Sequence, residues 1–142
     1  MYSRALVFAQ FSLIGLMALY SSEIFHSISA MAVLALGICF GIWAIMHNRL
    51  GNFNIRPELK EGCALVMSGP YRLVRHPMYT SVMLIALAMA IGTPILLEWI
   101  SFLFLTMVLA VKAEREERLW CVENSAYESY MKETKRFLPY IY

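Results

Sequence analysis

Apolar positions along the chain fall into three long blocks, separated by short polar interruptions. The first, Ala5–Tyr20, follows Arg4 and has Gln10 as its only strongly polar member. A polar stretch, Ser21–Ser27, carries Glu23 and His26. The second block, Ile28–Met46, supplies the roughly 20 helical residues that cross a bilayer core. It holds Gly37-x-x-x-Gly41, a spacing that lets two helix backbones approach closely and predicts packing. The third block, Met78–Val111, would reach about 50 Å as one straight helix, too long for a core of about 30 Å. Gly92-Thr93-Pro94 breaks it near the middle. The pattern predicts an all-α chain with four transmembrane helices, about 4–20, 28–46, 77–91 and 95–118. Glu98, just past the break, is expected to reach the membrane interface.

The intervening segments differ in character. Residues 47–76 contain Arg49, Arg56, Lys60, Arg72 and Arg75, with Pro57, Gly62 and the turn signal Gly69-Pro70. Residues 112–142 are charged and amphipathic and read as a helix running into a tail. Of twelve basic residues, only Arg4 lies outside these two stretches, and the connections at Ser21–Ser27 and Gly92–Pro94 have none. The positive-inside rule therefore puts both termini, the 47–76 loop and the 112–142 tail in the cytoplasm. The expectation is one domain, 1–142, in the cytoplasmic (inner) membrane. The first block ends at Ala18-Leu19-Tyr20-Ser21-Ser22 without a small-x-small cleavage site, so a retained helix is expected.

Composition sharpens this picture. The chain has 142 residues, 60% hydrophobic and 15% charged, against about a quarter charged in soluble domains. Mean hydropathy is +0.60. Disordered chains have the opposite balance. The seven glycines form no G-x-G-x-x-G and no phosphate loop. A net charge of +2 is too small to suggest nucleic acid. Cys39, Cys63 and Cys121 form no C-x-x-C; they read as buried or inert thiols, and no metal is expected.

The densest polar constellation is Gly69-Pro70-Tyr71-Arg72-Leu73-Val74-Arg75-His76-Pro77-Met78-Tyr79. A proline after His76 disfavours helix at that histidine and suits the first helical position. His76 is thus placed at the mouth of a helix that enters the membrane. The free N–H groups there attract an anion, and Arg75 and His76 add donors, with Tyr79 one turn in. This suits a carboxylate or phosphate; the alternative is an interfacial anchor for headgroups. The second constellation is Glu114-Arg115-Glu116-Glu117-Arg118-Leu119. Clustered carboxylates at a membrane surface favour a cation among them; the alternative is a solvated helix face laced by Arg115 and Arg118. Together the two describe a zwitterionic ligand such as S-adenosylmethionine, whose sulfonium aromatic faces can stabilise. The aromatics Tyr127, Tyr130, Phe137, Tyr140 and Tyr142 read mainly as an interfacial belt, with lining of the cofactor or lipid entrance as the lesser alternative. Met78, Met83 and Met89 read as packing or lipid-facing residues.

Leu65-Val66-Met67-Ser68-Gly69-Pro70-Tyr71-Arg72 followed by Arg75-His76-Pro77-Met78-Tyr79 resembles the signature of the integral-membrane isoprenylcysteine carboxyl methyltransferase and phospholipid methyltransferase family. Glu116, Leu119, Tyr127, Tyr130 and Leu138-Pro139 resemble its carboxy-terminal motif, so the likeness spans about 50–141. The resemblance implies a helical membrane enzyme that binds S-adenosylmethionine at the cytoplasmic face and admits a lipophilic acceptor from the bilayer. It carries the cofactor role onto Arg75, His76, Tyr79 and Glu116, with Tyr71 and Glu117 in the same expected set. Three positions depart from the family pattern. Ser81 stands where glycine is common, as does Asn124, and Arg115-Glu116 occupy the places of the paired glutamates, so a second carboxylate would come from Glu114 or Glu117. Sterol reductases share a related region that continues Gly-Asp; here Thr80-Ser81 follows, which disfavours reduction.

The expected activity is methyl transfer by direct displacement, in which the protein holds acceptor and methyl in line and away from water. A carboxylate acceptor needs orientation, which Arg72 or Arg136 would supply. An amine acceptor needs a base, for which Glu116 and His76 are candidates. O-methylation of a lipophilic carboxylate is the first expectation. N-methylation of an aminophospholipid or other small lipophile is the second, and a non-catalytic membrane scaffold or subunit is the third. The sequence leaves the acceptor and the oligomeric state open.

Overall fold

A computed structural model describes residues 2–48 and 64–139, all but the side chain of Tyr2. Arg49, Arg56, Pro57, Lys60, Gly62, Cys63, Tyr140 and Tyr142 lie outside the described residues. Among the described residues there are five α-helices and no strand. They are α1 (Tyr2–Tyr20), α2 (Ile28–His47), α3 (Pro77–Gly92), α4 (Leu96–Glu123) and α5 (Ala126–Glu133). Three stretches are long and apolar enough to cross a membrane, namely Ser3–His26, Ile28–His47 and Leu96–Glu123. The apolar α3 is shorter, with 16 residues.

Local chemistry sets the helix ends. Ser27 caps α2 by accepting from the Ala30 amide at 3.3 Å, the usual role of serine at that position. Between α1 and α2 the chain makes a short 3-10 helix, Ser21–His26. Pro77 opens α3, where its missing N–H costs nothing. α3 and α4 are joined by a tight turn in which the Ile95 amide donates to the Thr93 carbonyl at 2.8 Å.

α3 lies in the centre, packed against α2, α4 and α1. Its small side chains, Ala86, Ala88 and Ala90, are almost fully buried and let the neighbours come close. Met17, Leu105 and Leu109 close one core around Ala86 and Ala90, with Met83 and Met89 packed on it. Ile24 and Ala30 close a second core around Ala88. The α2–α3 contact uses Gly37 and Gly41. Ser81 Oγ donates to the Gly37 carbonyl at 2.7 Å, and a Cβ on Gly41 would lie 2.5 Å from that hydroxyl oxygen. Ser81 thus fills the groove that the two glycines leave.

Three expectations change. Glu98, expected at the membrane interface, is buried inside the protein: it is 1% exposed, and neither carboxylate oxygen has a hydrogen-bond partner among the described residues. The phase of α4 turns its first-turn face inward, with Ser101, Leu105 and Leu109. Cys39 is exposed rather than buried. The fourth helix passes its expected end at 118 and runs to Glu123, and the rest of the 112–142 segment holds a second, separate helix, α5, before the tail.

The close approach of α2 predicts a stability effect. Gly37→Val places a Cβ 3.0–3.1 Å from Leu84 and Ile85, including a backbone nitrogen, and should cost about 1–3 kcal/mol as overpacking does. Gly15→Ala, with nothing within 4 Å of its Cβ, should cost nothing. Thermal unfolding in detergent compares the two.

Candidate functional site

The site forms where the N-terminus of α3, the far end of α4 and the tail meet. The approach to α3 is a 3-10 turn, Gly69–Arg72. Gly69 has φ +58°, a conformation that favours glycine, and a side chain there would run into the His47 ring at the end of α2. The tail then pairs with the chain entering α3. The Arg75 amide donates to the Lys135 carbonyl at 2.7 Å and the His76 amide to the Arg136 carbonyl at 3.2 Å, with Val74 bridging Lys135 in parallel. Thr80 Oγ1 adds a bond to the Phe137 carbonyl at 2.9 Å. The backbone donors ahead of α3 are therefore satisfied by the tail.

At the centre of this junction lies Glu117, 2% exposed. Its Oε1 accepts from Arg75 Nε at 2.7 Å and from His76 Nε2 at 3.1 Å. Its Oε2 accepts from Arg136 Nη2 at 2.6 Å and Nε at 3.1 Å. Arg75 Nη1 also donates to the carbonyls of Thr134 at 2.5 Å and Met131 at 3.2 Å. A carboxylate buried this deeply is tolerable only with such charge-assisted partners. The anion that Arg75 and His76 face is thus the chain's own Glu117. Burial opposes charge on His76, but the Glu116 and Glu117 carboxylates outweigh it and hold its pKa above 6.5.

Next to this junction is a cavity of about 470 Å³, inside the range of roughly 300–1,000 Å³ usual for small-molecule sites. Glu116, one residue from the buried Glu117, lies on its wall. The Tyr79 hydroxyl donates to Glu116 Oε1, and His76 Nδ1 stands 3.5 Å from Oε2. The His76 and Tyr79 rings stack at 5.5 Å. Trp120 and Tyr127, stacked at 5.9 Å, contribute aromatic wall. Tyr130 donates to the Tyr71 carbonyl at 2.5 Å and lines the same space. Burial, then the Glu116 carboxylate, pushes the Tyr71 phenol up from 10.0 to about 12, so it stays a neutral donor. Burial raises Tyr127 and Tyr130 likewise. The apolar side of the cavity comprises Phe11, Met78 and Val82.

The expected site residues separate into two groups. Tyr71, Arg75, His76, Tyr79 and Glu116 line the cavity. Arg72, Arg136 and Glu117 do not: Arg72 is exposed, and Arg136 is turned onto Glu117. Glu114 pairs with Arg118 at 2.5 Å in an exposed helix contact. Tyr127, Tyr130 and Phe137 are buried, at 2–5% exposure, rather than forming an interfacial belt. α5 brings Tyr130 onto the Tyr71 carbonyl, and the tail beyond it brings Phe137 against the His76 ring. Trp120, Phe11 and Val82 had not been singled out for the site, and neither had two polar residues. Lys112, 1% exposed, donates through Nζ to Gln10 Oε1 at 2.5 Å, and both line the cavity. Their one sequence signal was polarity at the edge or within an apolar block.

A family model described as phospholipid methyltransferase matches residues 25–124. No curated protein matches the chain.

Two outcomes follow from the buried junction. Glu117→Ala strands three cationic groups and should cost about 3–5 kcal/mol, the usual penalty for breaking a buried pair, read as thermal unfolding in detergent. His76 has a raised pKa in the fold, so its charged contribution is complete below about 6.5. That contribution is lost as pH rises through the raised value. Unfolding temperature should therefore fall with rising pH across this window, and His76→Gln should flatten the decline.

Proposed function

Since the chain belongs to the phospholipid methyltransferase family, we propose that it transfers a methyl group from S-adenosylmethionine to a lipophilic acceptor at the cytoplasmic membrane face. In this reading it is an integral protein with four spans, α1 to α4, and both termini in the cytoplasm. The observation that carries it is Glu116, a partly buried carboxylate held by Tyr79 in the wall of an aromatic-lined cavity at the end of apolar helices.

The donor set fits the cofactor. Glu116 offers a fixed negative charge for its ammonium or ribose hydroxyls. Tyr71 and His76 offer hydrogen-bond donors, and Trp120 and Tyr127 offer ring faces for a sulfonium. Arg75 shares this wall while holding Glu117. When bound, the cofactor supplies a methyl carbon on positively charged sulfur, which leaves as a neutral thioether. Glu117, with Arg75 and Arg136, keeps His76 and the tail in place, so that Glu116 and Tyr79 are fixed before a ligand arrives. Phe11, Met78 and Val82 give the cavity an apolar side that excludes water and receives a lipophile.

A carboxylate acceptor, as in isoprenylcysteine carboxyl methylation, is the first choice, because it needs orientation and desolvation but no base. The description of the matching family model favours a second acceptor, the amine of an aminophospholipid. That amine must lose a proton, for which Glu116 is the carboxylate on the cavity wall.

Labelled S-adenosylmethionine supplied to the purified protein with lipid extract and prenylcysteine analogues tests this proposal. Base-labile label in the product indicates an ester, and base-stable label an N-methyl lipid. An amine acceptor should give a rate that rises with deprotonation, whereas a carboxylate should be nearly flat above about pH 4. Glu116→Ala should weaken cofactor binding at least tenfold, with a smaller loss of unfolding temperature than Glu117→Ala. A wild-type protein that binds no cofactor overturns the proposal.

A further inference from the structure

Lys112 is the unexplained group in this cavity. It lies on α4, 1% exposed, with Glu116 one turn further on. An ionisable side chain buried that deeply is expensive and calls for a reason. Its surroundings are built rather than incidental. Nζ bonds to Gln10 Oε1 at 2.5 Å and stands 5.2 Å from the centroid of the Tyr79 ring. Gln10 is the strongly polar member of the first apolar block, 8% exposed and 102 positions away. Two costly polar residues on two apolar helices thus meet on the cavity wall, which Phe11, Val82 and Glu116 also line.

Resting on the methyltransferase reading, we propose that Lys112, oriented by Gln10 and Tyr79, binds the anionic group of the lipophilic acceptor. The acceptor class is then an amphiphile with a carboxylate or a phosphodiester near its reacting atom. The charge arrangement supports this assignment. Glu116 brings a carboxylate to the cavity wall, and Lys112, one turn earlier on α4, brings an ammonium that an anion among the apolar lining residues can approach. The arginines nearest in sequence to the motif serve elsewhere, Arg136 on Glu117 and Arg72 at the exposed surface. Lys112 is a substrate-positioning residue that also discriminates against neutral amphiphiles.

Equilibrium binding in detergent tests the assignment. The probes are a prenylcysteine carboxylate, its neutral methyl ester, a short-chain phosphatidylethanolamine and S-adenosylhomocysteine. Wild type should bind at least one of the charged amphiphiles tenfold or more above the ester. Lys112→Met should remove that preference while leaving S-adenosylhomocysteine affinity within about twofold, and Lys112→Arg should retain it. Whichever charged probe loses affinity identifies the source of the anion as carboxylate or phosphodiester. Loss of S-adenosylhomocysteine binding with the amphiphile preference intact overturns the proposal and assigns Lys112 to the cofactor. Unchanged binding of every probe overturns it too and leaves Lys112 as a tie between α1 and α4. Should Lys112→Met fail to fold, Gln10→Leu and the wild-type ester comparison decide, and no charge preference in wild type sinks the proposal. Absence of S-adenosylhomocysteine binding in wild type counts against the methyltransferase reading alone, because the amphiphile arms are read without it.

Discussion

One buried carboxylate organises the end of the molecule where the chemistry would occur. Glu117 on α4 receives Arg75 and His76 from the entrance of α3 and Arg136 from the tail. These groups come from three separate stretches of chain, and none is stable at that depth without the others. Uncompensated, each would face the cost of removing a charge from water. Together they fix how the tail returns against the entrance of α3 and which way α4 faces.

The consequences spread to the neighbouring positions. With Glu117 turned into the junction, the next carboxylate, Glu116, faces the cavity at about 100° around the helix. His76 touches both carboxylates and stacks on Tyr79, whose hydroxyl holds Glu116. The inner junction is thus coupled to the wall of the site through one histidine and one tyrosine. The tail pairing at 74–76 and 135–137 closes the same region from outside, and it takes Tyr127, Tyr130 and Phe137 out of water. A separate contact, Lys112 with Gln10, joins the first helix to the last long one.

Much of this was legible from residues alone. The break at Gly92–Pro94, the start of α3 at Pro77 and the turn at Gly69-Pro70 follow from local backbone chemistry, and proline and glycine act within a residue or two. The Gly37–Gly41 spacing pointed to helix packing, and Ser81 fills that contact. Tyr71, Arg75, His76 and Tyr79 of the motif line the cavity, and Arg75 and His76 also hold the chain's own Glu117. A basic cluster looks the same in sequence whether its anion is a ligand or a glutamate of the same chain. Glu98, Tyr127, Tyr130 and Phe137 are buried where polarity and aromaticity had suggested exposure at an interface, because helix phase and the return of the tail decide exposure.

By itself, then, the sequence determined the apolar helices, their interruptions and the crowding of charge into two stretches. These depend on interactions between near neighbours and on the length needed to cross hydrocarbon. The tertiary structure alone decided among Glu114, Glu116 and Glu117, which occupy neighbouring positions on one helix. One pairs in the open with Arg118, one lines the cavity and one is buried against three cations. That choice is angular, set by elements about 20 to 40 positions away along the chain. The meeting of Gln10 with Lys112 is likewise a product of how α1 packs on α4, a contact between distant segments that no local pattern encodes.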